Sequence, residues 1–597
     1  MIRPKRWIIA PPNEGAATAL ADRLKTSPVI AQVLLNRGIT QPEECFAFLS
    51  PSLKCLHDPA LIPNLRKASE RIWRAIQSRE RIVIYGDYDV DGITATSILW
   101  HAIRLMGGEV DFYIPHRIDE GYGLNSAALA EIIDGGGKGG AKLIVTVDCG
   151  VTALEPAELA RSRGVDLIIT DHHEWHDDSF PNAYTIVHPR LTKDDEGKPY
   201  AYPNHHLCGA GVAFKLAWGI GVRANGGNPR VSDAFRNYLI EATGLAALGT
   251  IADVVPLVGE NRILAAFGLG GLKQSKLVGI QALIESAGLT GQTLDSYHVG
   301  FLLAPRLNAC GRMGHAREAV EMLTRADHDR AIAIATELEA RNKERQAMEK
   351  TILDAAMRQV EEQNLGGDDC RAIVLGAEGW HPGVIGIVAS RIVDRFCKPT
   401  IMVAFNANNG NGMIGQGSGR SIAGFHLTRA LEECHDTLEA YGGHEMAAGL
   451  KVTPEKFEAF RRCFCQYAMK NLQPDQLIPE LKLDVEAQLQ QVTLPLVRDL
   501  QRLGPFGHGN RRPVFVSKQL EVAAAPRRVG KTGNHLSLLV RQGNSGGAMK
   551  AIAFGAGDWI DRLPKGTMVD LAFEPTLNEY NGNTSVELEV KDLQVSP

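Results

Sequence analysis

The sequence predicts an α/β protein of two α/β lobes joined by a long helix, followed by an all-β barrel. Three observations predict it. Between about residues 80 and 171, short β-branched runs alternate with helical segments, the signature of a parallel, doubly wound sheet. From Asp327 to Gln363 a charged stretch runs without Pro or Gly, which reads as one connecting helix solvated over much of its surface. The final segment, roughly 120 residues, alternates apolar and polar positions between turn signals such as GKTGN, RQGNSGG and NEYNGN, as a small barrel does.

Residues 1–70 are short helical pieces broken by Pro and Gly and read as an N-terminal cap. The first lobe spans 71–275. Its expected strands are RIVIYGD (81–87), EVDFYIP (109–115), KLIVTVD (142–148) and VDLIITD (165–171), with helices such as ITATSILWHAIRLMG and LNSAALAEIID between them. Residues 276–363 form a connecting region that ends in the long helix. A second lobe spans 364–472 and opens on RAIVLGAEGW; the barrel spans 473–597, beyond the linker NLQPDQLIPE. A chain of 597 residues is too long for one core, so several domains are expected.

Composition excludes some classes. With 44% hydrophobic and 22% charged residues, the chain is neither disordered, collagen-like nor a disulfide scaffold. The apolar part of MIRPKRWIIAPPNEG is too short for a signal peptide. No run approaches the roughly 18 apolar residues of a membrane helix. Ten scattered cysteines read as reduced thiols of a cytoplasmic chain. The net charge of −5 argues weakly against a nucleic-acid partner, but only as a sum. Three motifs are set aside. GGGKGG (135–140) follows a helix and precedes a strand, the reverse of a dinucleotide turn. VGKT (529–532) lacks the leading Gly of a P-loop, with Ala525 in its place. Cys463 and Cys465 sit on a helical pattern without partner ligands and read as ordinary thiols.

Three of the four strands end in Asp: Asp87, Asp148 and Asp171. Sites in such sheets form outside the carboxyl ends of the strands. GDYDVDG adds Asp89 and Asp91, and alternate residues of an extended tip point the same way. The plainer alternative is an acidic turn that caps the next helix through Asp91. Three packed carboxylates repel, however, and call for a cation. ITDHHEWH adds His172 and His173; Asp253, between apolar residues in GTIADVVPL, needs a partner or a metal. Carboxylates and imidazoles without thiolates suit Mn²⁺, Mg²⁺ or Zn²⁺. One bridging carboxylate would set two ions about 3.5–4 Å apart, the arrangement used for hydrolysis at phosphorus.

GDYDVDG, VDCG, TDHHE and IADVVPL resemble the successive motifs of the DHH phosphoesterase superfamily. PRLNACGRMG, WHPGVIGIVASRI, GSGRSIAGFHL and YGGHEMAAGL resemble its companion domain, DHHA1. GPFGHGNRRPVF and the β-rich tail are similar to the OB-like domain of the superfamily's single-strand-specific exonucleases. The resemblance implies a 5′→3′ exonuclease that degrades single-stranded DNA to mononucleotides in DNA repair and recombination, with two divalent ions, Mn²⁺ or Mg²⁺. By resemblance, Asp89 and Asp148 hold one ion with Asp87 nearby. Asp91, Asp148, His172 and Asp253 hold the other, making Asp148 the bridge. Many relatives carry a His ligand where this chain has Tyr85, and Asp87 stands in for it. His173 and Asp171 belong with the catalytic groups, and His444 would reach the scissile phosphate. Ser418 and Arg420, with Arg306, resemble a pocket for the terminal 5′ phosphate. Arg117 would touch the backbone near the ions, while Arg511, Arg512, Arg527, Arg528 and Lys531 would line a groove on the barrel. The implied partners are single-stranded DNA gripped at its 5′ end, a single-stranded-DNA-binding protein and a RecQ-type helicase; the chain is expected to be a monomer. Two alternatives stand beside this. One is a phosphodiesterase of short oligonucleotides or cyclic dinucleotides, against which the OB-like tail argues. The other is a non-catalytic DNA-binding scaffold, against which the filled acidic motifs argue.

Overall fold

The computed structural model describes residues 5–117, 120–135, 139–175, 179–313, 315–407, 413–543, 547–580 and 582–596. The chain divides into two compact units. One comprises Ser50–Glu344 with Gly504–Arg511; the other comprises Met1–Leu49, Arg345–Leu503 and Arg512–Pro597.

The first unit is built on β1 (Ile82–Gly86), α1 (Val90–Leu105), β2 (Val110–Tyr113), β3 (Leu143–Val147), β4 (Asp166–Thr170) and β5 (Thr185–Val187). The strands are all parallel in the order β2-β1-β3-β4-β5. β1 and β3 are buried along their whole length, which is why IVIYG and LIVTV are continuous rather than alternating runs. The strand order reverses between β1 and β3, the topological switch point where open sheets bind ligands. Register sets Gly86 beside Val147, Val147 beside Thr170 and Thr170 beside Val187. Asp87, Asp148 and Asp171 therefore leave the sheet at one level. Helices α2 (Gly209–Ala224) and α3 (Asp233–Ala252) pack on α1, and α4 (Gly259–Leu272) packs on α3. Helix α5 (Ala304–Met313) follows a π-helical turn, His298–Leu303.

The long helix, α6, runs from His328 to Glu362, one residue inside the expected span at each end. Pairs four residues apart support it, among them Glu339–Lys343 at 3.2 Å and Arg345–Glu349 at 2.6 Å. Its residues to Glu344 belong to the first unit and the rest to the second.

In the second unit, the second lobe carries β6 (Ile373–Glu378), α7 (Pro382–Phe396), β7 (Thr400–Ala407), β8 (Met413–Arg420), α8 (Leu427–Glu433), β9 (Ala440–Gly443), β10 (Ala447–Val452) and α9 (Pro454–Asn471). The sheet order is β9-β10-β8-β7-β6, and only β6 and β7 are parallel. The barrel runs through strands Phe515–Val522, Met568–Tyr580, Asn583–Val595, Met549–Ala553 and His535–Arg541. It closes where Glu521 and Val522 pair with Arg541 and Val540. Closure of five antiparallel-rich strands is the OB-like architecture expected, with the short strands Val485–Glu486 and Arg527–Val529 added beside it.

The N-terminal seventy residues do not stay together. Strand Arg6–Ile9 pairs in parallel with Glu480–Leu483, and the Trp7 indole donates to Asp592 at 2.8 Å. The Asn36 amide donates to the Asp484 carbonyl at 2.7 Å. These bonds tie residues up to Leu49 to the barrel-bearing unit, whereas Ser50 onward packs with the first lobe. Of GGGKGG, residues 136–138 lie outside the described residues. VGKT closes a short strand, Arg527–Val529, and leads through a turn into strand His535–Arg541, with no helix to meet a phosphate. Among the described residues, no helix is long and apolar enough to cross a membrane.

Candidate metal centre

The strand-tip acids converge, although not quite as the sequence suggests. Asp87 continues β1, but the chain turns helical at Val90, so Asp91 lies in the first turn of α1. The cap of that helix is Asp89, not Asp91: Asp89 Oδ1 accepts the amides of Asp91 at 2.9 Å and Gly92 at 3.2 Å. Asp91 is thereby free to turn to the N-terminus of α2, where it accepts Gly209 N at 2.6 Å and Ala210 N at 2.8 Å. Amides at a helix start are suited to hold a buried anion.

Asp148 stands at the tip of β3 with a left-handed backbone, φ +63°. Such a conformation costs a non-glycine residue on the order of 1–2 kcal/mol and recurs at functional positions. Side-chain donors then fall into three groups, each with ligand atoms within 4.8 Å of one another: Asp87, Asp89 and Asp148; Asp91, His172 and Asp253; Asp148, His172 and His173. His172 Nε2 lies 3.1 Å from Asp148 Oδ1, 3.6 Å from Asp253 Oδ2 and 3.8 Å from Asp91 Oδ2.

Asp87 Oδ1, Asp148 Oδ1 and His172 Nε2 are buried and have no hydrogen-bond partner. Burial, then mutual repulsion, pushes the Asp87 and Asp148 carboxyls well above their usual range. Burial and the charges of Asp91 and Asp89 push Asp253 up to about 9. Burial lowers His172 to about 4, leaving a neutral imidazole with an open nitrogen. Orphaned oxygens, repelling acids and a neutral imidazole are what a pair of divalent cations would satisfy.

Asp171 is occupied differently. It accepts the amides of Val151 at 2.9 Å, His172 at 2.8 Å and His173 at 3.1 Å, and its Oδ1 lies 2.8 Å from His173 Nδ1. Burial opposes its charge, but the His173 hydrogen bond and the two imidazoles hold it below the ordinary carboxylate range. Burial likewise opposes the His173 cation, yet Asp171 raises it to about 9. The Tyr122 hydroxyl, 3.0 Å from the same nitrogen, completes this arrangement.

Tyr85 is committed to the core. Its hydroxyl donates to the Gly123 carbonyl at 3.2 Å, and its ring stacks on Tyr113 with centroids 5.3 Å apart. Arg117 joins the cluster, its guanidinium 4.9 Å from the Tyr88 ring centroid and its charge acting on Asp87. Arg306 is in the same unit but is ion-paired, with Nε 2.8 Å from Glu339 Oε2, and it donates to the Leu302 carbonyl at 2.6 Å.

Ser418, Arg420 and His444 belong to the second unit. Arg420 donates to Ser418 Oγ at 3.2 Å, and both side chains lie against Gly386 of α7, where a Cβ would stand 2.8 Å from Ser418 Oγ and 3.1 Å from Arg420 Nη2. The exposed His444 sits in the β9–β10 turn, its amide donating to Ala447 at 2.9 Å, and Ala447 pairs with Arg420. Of the expected barrel groove, Arg511 packs with the first unit, while Arg527, Arg528 and Lys531 are exposed on the barrel.

Several residues that build the centre carry no signal in the sequence. A Cβ at Gly209 would stand 2.6 Å from the Asp148 Cβ, and one at Gly249 would stand 2.6 Å from Asp91 Oδ1. Asn308 Oδ1 receives the Val90 amide at 3.2 Å, and a Cβ at Gly311 would meet the Tyr88 carbonyl at 2.6 Å, so α5 braces the GDYDVDG turn. The loop after Asp253 is held from far along the chain, Leu257 N donating to the His508 carbonyl at 2.8 Å.

A parallel sheet with acids and an imidazole gathered at its switch point defines a protein of the DHH phosphoesterase class. The DHH family N-terminal domain matches residues 81–250 and the DHHA1 domain matches residues 369–470. The RecJ OB domain matches residues 483–592, and over its length the chain is 36% identical to the single-stranded-DNA-specific exonuclease RecJ of Bacillus subtilis, covering 99% of this chain and 71% of that protein. It is 36% identical to the RecJ of Dickeya dadantii over 97% of each chain. The chain belongs to the RecJ family. The crystal structure of Thermus thermophilus RecJ in complex with Mn²⁺ superposes with a TM-score of 0.81 at 31% identity, covering 99% of this chain and 80% of that one. The Mg²⁺ complex of the same protein gives a TM-score of 0.75 at 30% identity, covering 99% and 78%.

Proposed function

We propose that this chain is a cytoplasmic, monomeric exonuclease that degrades single-stranded DNA from its 5′ end to mononucleotides, in DNA repair and recombination. The observation that supports it best is Asp148: a buried carboxylate on a left-handed tip, with one unbonded oxygen, in a residue that belongs to two of the three donor groups. Asp87, Asp89 and Asp148 would hold one divalent ion, Mn²⁺ or Mg²⁺. Asp91, His172 and Asp253, with Asp148 as the bridge, would hold the other. Bound there, the ions supply a water of lowered pKa and neutralise the phosphate's charge.

The chain's own groups do the positioning. The α2 amides fix Asp91, and burial keeps His172 Nε2 unprotonated. Asp171 keeps the proton on His173 Nδ1 and so maintains a positive imidazole for an anionic substrate. Arg117 meets the backbone phosphate next to the ions. On the second lobe, His444 faces the scissile phosphate and Ser418 with Arg420 takes the terminal 5′ phosphate, which sets polarity because an enzyme that grips this end cuts from it. Arg306, ion-paired with Glu339 in the first unit, is a further phosphate-binding group of this reading. The first lobe, 71–275, thus carries the ions and Arg117, the second, 364–472, carries His444, Ser418 and Arg420, and the barrel, 473–597, guides the strand. A single-stranded-DNA-binding protein and a RecQ-type helicase are the partners such a substrate calls for.

The test is digestion of 5′-labelled oligonucleotides with Mn²⁺ or Mg²⁺, single-stranded against duplex. Label released as mononucleotide from single strands alone is the expected result. Internal cuts, or equal attack on duplex, would overturn it.

A further inference from the structure

Five of the ten cysteines lie in the second lobe, and two of them are in contact. Cys434, at the end of α8, is buried, and its Sγ is 2.6 Å from Sγ of the half-buried Cys463 on α9. The pair is held in place: Thr437 Oγ1 donates to the Cys434 carbonyl at 2.7 Å, and α8 packs on α9 around a shared core. Cys465, two residues on, is turned to the other side of α9, where it and Cys370 share the Ala372 carbonyl at 4.0 and 2.8 Å. Among the described residues, no third metal-binding side chain joins Cys434 and Cys463. Two sulfurs without a further side-chain ligand suit a covalent bond between them rather than an ion.

We propose that Cys434 and Cys463 form an oxidisable thiol pair that closes to a disulfide under hydroperoxides. Cys463, the half-buried member, is the thiol a peroxide reaches. Its thiolate attacks one peroxide oxygen, the O–O bond breaks, hydroxide leaves, and Cys463 becomes a sulfenic acid. The Cys434 sulfur then attacks the Cys463 sulfur; the S–O bond breaks, and the Cys434 proton leaves with the hydroxyl as water. Burial raises Cys434 above the ordinary thiol range, so it stays a thiol until its neighbour is oxidised. The closed loop contains β9, the His444 turn and β10, so the bond would tie the phosphate-facing hairpin to α9.

The full chain, treated with a small excess of hydrogen peroxide and digested with trypsin, reports the bond without reference to nuclease activity. The expected product joins peptide 430–451 to peptide 463–470, with a mass about 2 Da below their sum and fragmentation that places the link on Cys463. Titratable thiols in the denatured chain should fall from ten to about eight and recover with dithiothreitol. In Cys463→Ser the linked peptide should vanish. In Cys434→Ser, Cys463 should instead be trapped as a sulfenic acid by dimedone. Ten thiols remaining after peroxide, a link through Cys465 or Cys370, or Cys463 driven to sulfonic acid without a link would overturn the proposal.

Discussion

Replacing Gly249 by Ala would put a methyl group 2.6 Å from Asp91 Oδ1, Thr94 Oγ1 and the Ala210 Cβ. Comfortable contacts of this kind lie near 3.5 Å, so all three are short by about 1 Å. Thr94 is anchored to the Val90 carbonyl at 2.8 Å, and Ala210 belongs to α2. Asp91 must yield, or α3 must shift and carry Asp253 with it. Either moves a donor by nearly 1 Å, where metal–ligand distances tolerate about 0.2 Å. The expected loss in Mn²⁺ affinity is on the order of 10–100-fold. Overpacking costs roughly 1–3 kcal/mol and the better helix propensity of Ala offsets about 1 kcal/mol of it, so Tm should fall by only a few degrees. Gly270→Ala on α4 is the control, because its new Cβ meets nothing within 4 Å. It should be neutral or stabilising by up to about 1 kcal/mol and leave metal binding alone. Calorimetric Mn²⁺ titration of the metal-stripped proteins, with melting curves in chelator, measures both quantities. Wild-type affinity in Gly249→Ala, or an equal loss in Gly270→Ala, would refute the steric reasoning.

Asp148→Asn should abolish cleavage while raising the Tm of the metal-free protein, because it removes a buried charge that Asp91, Asp89 and Asp87 repel; retained turnover with single-stranded oligonucleotide would remove the bridge. Asp171→Asn should bring His173 down from about 9 towards 6.5, read by imidazole NMR of the metal-free chain, with no movement counting against the pair. The same pair sets a sign: folded His173 holds its proton more tightly than the unfolded chain does, so its stabilisation is complete below about pH 6.5 and is lost as pH rises through about 9. Arg420→Ala should reduce the preference for 5′-phosphorylated over 5′-hydroxyl ends, and unchanged kinetics on both would place Arg420 outside the pocket.

Much of the centre is legible because a parallel strand announces itself by a β-branched run and its end by the first polar residue. Asp87, Asp148 and Asp171 could be placed in that way, and the register then aligned them. What ties them together could not. The cap on α1 falls to Asp89 because the helix begins at Val90, a boundary that GDYDVDG leaves open. Gly209 and Gly249 reach the centre through neighbours about 60 and 158 positions away, Asp148 and Asp91, and no local pattern encodes such spacing. The division of the first seventy residues was hidden for the same reason. Arg6–Ile9 finds its partner strand at Glu480–Leu483, near the other end of the chain.

The hydrogen bond from Leu257 to the His508 carbonyl gives the centre a schedule. Residues that carry every other donor of the cluster precede Asp253 in the chain and can begin to fold once the first lobe has been made. The loop that follows Asp253 cannot close on His508 until translation reaches that residue, which at 5–20 residues per second takes roughly another 13–50 s. Until then the nascent chain carries an unfinished Asp253 loop, and a segment made about 250 residues later completes it. A truncation before Gly504 would do more than delete a barrel, because it would hold the enzyme permanently at that unfinished stage.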